Sequence, residues 1–101
     1  MLYLIEWTVK PENRIACGNI FGNMTAEDDV KDVGDEIKLV GRWHTLGGTG
    51  GTCIVDCSDH GALNTFMLNW GPLCDISVHP VVDDASSRAS VQSKPYFVKK
   101  E

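Results

Sequence analysis

Residues 52–82 read TCIVDCSDHGALNTFMLNWGPLCDISVHPVV, and this stretch decides the fold. In residues 52–57, Cys53, Val55 and Cys57 alternate with Ile54 and Asp56, the period of a strand. Ser58 or Asp59 then offers a helix N-cap. Ala62, Leu63, Phe66, Met67 and Trp70 recur three and four apart, which gives one apolar face to a helix over 58–70. Gly71 sits where a C-cap glycine belongs, and Pro72 ends the helix. Residues 74–82 resume as a strand. The unit is therefore strand, helix, strand.

Working outward, residues 37–44 predict a strand. Gly47-Gly48-Thr49-Gly50-Gly51 is a run of turn formers, so 37–44 and 52–57 make a hairpin. Residues 2–9 alternate Tyr3, Ile5, Trp7 and Val9 with Leu4, Glu6 and Thr8, a further strand. Pro11 suits the first position of a helix, because it has no N–H to leave unpaired. Cys17, Ile20, Phe21 and Met24 form one stripe of a helix over 11–24. Gly18 and Gly22 weaken it, each by roughly 1 kcal/mol relative to Ala. Residues 25–35 read as an acidic loop (Glu27, Asp28, Asp29, Asp32, Asp35) with room for one capped turn at Thr25. The order β-α-β-β-α-β is the split βαβ, or ferredoxin-like, arrangement of an α+β domain. It predicts a four-stranded antiparallel sheet with two helices on one face, over residues 1–82. Residues 83–101 are polar and serine-rich up to Ser93 and then carry Pro95-Tyr96-Phe97-Val98. They are expected to form a tail docked on the domain or on a dimer mate.

With 101 residues the chain suits one domain. A domain this short buries only about two thirds of its unfolded surface, so pairing with a second copy would stabilise it. Its formal charge of -5 repels a phosphate backbone, and no basic cluster offsets it. Nucleic acid and anionic membrane surfaces are therefore not expected partners. The apolar start, residues 1–7, is short, lacks basic residues and is broken by Glu6, unlike a signal peptide. No apolar run approaches the roughly 20 residues of a spanning helix. A cytoplasmic location is expected, with Cys17, Cys53, Cys57 and Cys74 as reduced thiols.

The segments Met1-Leu2-Tyr3-Leu4-Ile5-Glu6-Trp7-Thr8 with Lys10-Pro11-Glu12, Leu39-Val40-Gly41-Arg42-Trp43-His44, Asn69-Trp70 and Val78-His79-Pro80-Val81 resemble a family of short, mainly bacterial proteins known only as a domain of unknown function. The motifs occur in the family's order, over about residues 1–82. The resemblance implies a ferredoxin-like fold and a dimer of the dimeric α/β-barrel type. It implies no activity. The acidic loop and the tail look peculiar to this chain.

Alternation sorts the strand residues onto two faces. One face collects Tyr3, Ile5, Trp7, Ile37, Leu39, Gly41, Trp43, Cys53, Val55, Cys57, Cys74, Ile76 and Val78, and is expected under the helices. The other collects Leu2, Leu4, Glu6, Thr8, Lys38, Val40, Arg42, His44, Thr52, Ile54, Asp56, Asp75, Ser77 and His79. With Gly48 at the centre of the turn, Trp43 faces Cys53 and His44 faces Thr52. The mixed face is expected to pair with a second copy as a two-fold homodimer.

Few residues offer chemistry. Cys53 and Cys57 lie roughly 13 Å apart on one strand, too far to share a metal or a disulfide. No metal site and no cofactor are expected. His44 and His79, placed near Glu6 and Asp75, are the candidate bases, although hydrogen-bonded interface residues are the plainer reading. His60 is expected in solvent. The glycine run lacks the Lys-Ser/Thr ending of a phosphate loop and reads as a hairpin tip, able to cover a neighbouring pocket. Trp7, Trp43 and Trp70 point toward the space between sheet and helices. That space is either core or an apolar pocket, with Arg42 or His44 at its mouth to meet a carboxylate. Gly18, Gly22 and Gly41 would leave room in it.

Three functions follow. The first is a homodimer that binds a small apolar or aromatic molecule. The second is a cofactor-independent oxygenase or isomerase with His44 or His79 as base. The third is a structural or regulatory protein that uses residues 95–98 as an added strand. No motif fixes a ligand, a reaction or a pathway.

Overall fold

The computed structural model of the chain describes residues 1–97, so Val98 in the expected tail motif lies outside the described residues. The strands are β1 (Leu2–Val9), β2 (Ile37–His44), β3 (Gly50–Cys57) and β4 (Cys74–Val81). They form one sheet in the order β2-β3-β1-β4, with every neighbouring pair antiparallel. Strand β3 lies between β1 and β2, and β1 lies between β3 and β4. Each crossover thus skips one strand, as the split βαβ order requires. The fold is α+β and ferredoxin-like.

The core lies on one face of the sheet. Tyr3, Ile5, Ile37, Cys53, Val55 and Cys57 are buried there, against Leu63 and Phe66 of helix α3 (His60–Trp70). Asp59 caps α3 by accepting from the N–H groups of Gly61 and Ala62, at 2.9 and 3.2 Å. This places the cap on Asp59 rather than Ser58. Gly71 keeps a right-handed φ of −52°, so Pro72 ends the helix without a left-handed glycine.

Four differences from the sequence reading matter. First, a 3-10 turn occupies Pro11–Asn13, and helix α1 covers only Arg14–Gly22. Cys17 is its one buried residue, and Phe21 of the expected stripe is 37% exposed. Helix α1 therefore stands off the sheet.

Second, the acidic segment is a helix, α2 (Ala26–Val33), and not a loop. Thr25 accepts from the Asp28 N–H at 3.2 Å, and the Asp28 carboxylate accepts from the Thr25 N–H at 2.9 Å. This reciprocal pair satisfies two donors that a helix start leaves open. Glu27, Asp28 and Asp29 fill the first turn, where negative charge suits the helix dipole. Helix α2 packs on α3 and β2, so the helix layer holds three helices and not two.

Third, residues 84–92 form helix α4 (Asp84–Gln92), capped by Asp83, which accepts from the Ser86 N–H at 2.8 Å. That bond holds the Asp83 carboxyl below its ordinary range. Every residue from 83 to 97 is exposed.

Fourth, β2 carries a bulge. The register runs Leu39↔Val55, then Gly41↔Ile54, Arg42↔Cys53, Trp43↔Thr52 and His44↔Gly51. One extra residue, at Val40, moves every later side chain to the opposite face. The expected pairings Trp43 with Cys53 and His44 with Thr52 are therefore shifted by one. Arg42 and His44 lie on the helix side, while Gly41 and Trp43 lie on the uncovered side.

Candidate functional site

The gap under α1 is a cavity of about 370 Å³. Its floor is the sheet: Ile5, Trp7 and Val9 of β1, Cys53 of β3, and Cys74 and Ile76 of β4. Cys17, Gly18 and Phe21 of α1 and Phe66, Met67 and Trp70 of α3 close the sides. Gly47, Gly48 and Gly50 of the β2–β3 hairpin form part of the rim. Gly47 and Gly48 take φ values of 89° and 73°, which a side chain would strain. The tip is held to β1 by the Val9 N–H, which donates to the Thr49 carbonyl at 2.9 Å.

Arg14, Arg42 and His44 bring polarity to this apolar space. The His44 ring lies 5.7 Å from the Trp7 ring, edge-on, and 4.7 Å from Phe21. Among the described residues neither His44 nitrogen has a hydrogen-bond partner. The Arg42 guanidinium carbon lies 5.3 Å from the Phe21 ring centre, a cation–π contact. One of its nitrogens donates to Asp29 Oδ1 at 3.3 Å, with the Arg42 side chain only 19% exposed. The thiols are inert in comparison. Burial pushes Cys53 up to about 11, against a smaller opposing pull from Arg42. Burial, reinforced by Cys17, likewise pushes Cys74 up to about 11.

Trp70 is held in place from outside the cavity. Its Nε1–H donates to both carboxylate oxygens of Asp32, at 3.0 and 2.9 Å. The Asn69 side chain donates to the same carboxylate at 3.0 Å. Helix α2 therefore orients two wall residues, Arg42 through Asp29 and Trp70 through Asp32. Sequence reasoning missed both aspartates. The available signal was the capping pattern Thr25-x-x-Asp28, with Val30 and Val33 following.

The structure brings together Trp7, Trp70, Arg42 and His44. It separates Trp43, which is 60% exposed on the other face with its ring folded over Gly41. Gly41 therefore gives no room to the cavity, while Gly18 does. His79 pairs with Leu4 on the uncovered face, so the two candidate histidines lie on opposite sides of the sheet. His60 is not simply solvated, because its Nε2 lies 2.6 Å from the Tyr3 hydroxyl. All four cysteines are free and buried. Among the described residues no cluster of His, Cys, Asp and Glu is arranged to hold a metal ion, and no helix is long and apolar enough to cross a membrane.

These features define a ferredoxin-like α+β domain with an apolar cavity between sheet and helices. Residues 1–94 match the family described as a domain of unknown function (DUF3303), and the chain belongs to that family. The match includes the acidic segment and extends to residue 94, so neither α2 nor α4 stands apart from the family's region. The chain is also similar to the solved structure of Rv0793 from Mycobacterium tuberculosis, with 17% identity and a TM-score of 0.45, over 83% of this chain and 97% of that one. A second similar structure is Atu4242 from Agrobacterium tumefaciens, with 14% identity and a TM-score of 0.44, over 83% of this chain and 96% of that one. No curated protein matches the chain.

Proposed function

We propose that the protein is a homodimer that binds a small apolar or aromatic molecule in the cavity between sheet and helices. The cavity itself carries this reading. Its volume falls at the lower end of the roughly 300–1,000 Å³ of small-molecule sites, and its walls are aromatic and aliphatic with few polar groups. Trp7 lies on its floor and Trp70 on its side, and Arg14, Arg42 and His44 are its polar lining residues.

The dimer completes two unfilled surfaces. The uncovered sheet face presents Leu2, Leu4 and Ile54, half-buried, with Trp43 and Val40 more exposed. Helix α4 has 9 residues, all of them exposed. Isolated helices shorter than about 12–15 residues are marginal in water, so α4 needs a surface. A second copy across the sheet face supplies one.

A second reading rests on His44. An imidazole on the cavity wall with no protein partner is free to take a proton from a bound molecule. Cofactor-independent oxygenase or isomerase chemistry would use it, and His79 would take no part. With a ligand in hand, His44→Gln should abolish any turnover while His79→Gln spares it.

Native mass spectrometry of the purified protein tests the main reading. The expected result is two chains plus a small excess mass that is lost on denaturation. A single-chain mass contradicts the dimer.

A further inference from the structure

We infer that the cavity's ligand is an aromatic or alicyclic carboxylate, with its anionic group on Arg42 and its ring against Trp7 and Trp70. This inference rests on the binding reading above and narrows its chemistry.

The charge around the cavity runs against the charge of the chain. The protein carries a formal -5, yet among the described residues no Asp or Glu lines the cavity. The lining residues with permanent charge are Arg14 and Arg42, both positive. A neutral ligand would not need them. A cationic ligand would meet two guanidinium groups and no carboxylate among the described lining residues.

Arg42 is equipped for a second acceptor. Its side chain is 19% exposed, and among the described residues its one hydrogen bond goes to Asp29. A guanidinium has several N–H donors in a planar fork. Among the described residues no buried side-chain nitrogen or oxygen lacks a partner, so the remaining Arg42 donors are accessible, and Arg42 is one of the residues that line the cavity. The contact with Asp29, a single bond at 3.3 Å, is long for a charge-assisted pair. Arg42 already donates weakly to one carboxylate and can donate to another.

His44 adds a donor. In either neutral tautomer one ring nitrogen carries a proton. Its ring lies against both Trp7 and Phe21, with centroids 5.7 and 4.7 Å away. The size also fits. At about 370 Å³ the cavity lies within the roughly 300–1,000 Å³ of small-molecule sites, room for a fused two-ring acid.

The test compares two probes that share a ring system, 2-naphthoate and 2-naphthalenemethanol, by isothermal titration calorimetry on the full chain. The acid should bind at least tenfold more tightly than the alcohol. Arg42→Met should lower the acid's affinity to that of the alcohol and leave the alcohol's own affinity within about twofold. Asp29→Asn removes the competing charge while its amide oxygen can still accept from Arg42 and orient it, and should tighten the acid about threefold, with no gain for the alcohol. This second variant keeps the test open if Arg42→Met fails to fold. Equal affinities, or a preference for the alcohol, would overturn the carboxylate assignment and leave an apolar site. Binding of neither probe would overturn the cavity reading, and the inference with it.

Discussion

Gly51 lies under the Trp7 ring and beside the Trp43 backbone carbonyl, so a Cβ at this position would collide with both. The contact fixes the ring that forms the cavity floor. Gly51→Ala should destabilise the fold by about 1–3 kcal/mol, the usual cost of overpacking, as read by urea denaturation. An unchanged midpoint would mean that Trp7 does not rest there. The thiols make a second residue-level prediction. Cys53 and Cys74 have pKa values near 11 in the fold against an ordinary 9.0. The raised value means that the folded chain holds these protons more tightly than the unfolded chain does. Their contribution to stability is therefore complete below pH 9 and is lost as pH rises to about 11. The urea midpoint should fall across that window, and Cys53→Ala should make the fall shallower. Equal slopes would remove Cys53 from the effect. Most residues of the helix-covered face were legible from alternation alone. Arg42, Trp43 and His44 were not, because one extra residue at Val40 inverts the strand beyond it. Gly41, a glycine inside a strand pattern, is the mark of such a bulge.

Among the elements, α2 contributes most that periodicity does not reveal. Its sequence, AEDDVKDV, is too short and too charged to display an apolar stripe. It forms because Thr25 and Asp28 cap each other and because acidic residues suit its first turn. It matters because Asp29 and Asp32 hold Arg42 and Trp70 from behind. Thr25→Ala should cost about 1 kcal/mol. The loss should be local, with faster amide exchange across residues 26–33 and weaker ligand binding. Uniform exchange with unchanged binding would mean that α2 does not set the cavity wall. Helix α3 was readable because cap, stripe and stop all agreed. Helix α4 was not, since DASSRASVQ reads as a polar tail and only its Asp83 cap signals otherwise.

At the scale of the molecule, the strand order follows from the β-α-β-β-α-β sequence of elements, and the sequence carried it in full. What the sequence left open was whether the space under the helices is filled. The answer depends on how far α1 stands from the sheet, which no local pattern encodes. The molecule measures 56 Å along its long axis, against 28 and 20 Å across, and every residue of helix α4 is exposed. The dimer proposed through the uncovered face would cover Trp43 and offer helix α4 a surface. Trp43→Asp should therefore shift the protein to a single-chain mass in sedimentation while leaving the helix-side core intact. A persistent dimer would place the interface elsewhere.

The three tryptophans make the central claim directly measurable. Trp7 and Trp70 line the cavity, and Trp43 lies across the sheet from it. Each indole N–H gives its own signal in a nitrogen–proton correlation spectrum, assigned by single Trp→Phe substitutions. On titration with 2-naphthoate the Trp7 and Trp70 signals should shift together and saturate, with Trp43 unmoved. A shift at Trp43 with Trp7 and Trp70 unmoved would contradict a binding site between sheet and helices.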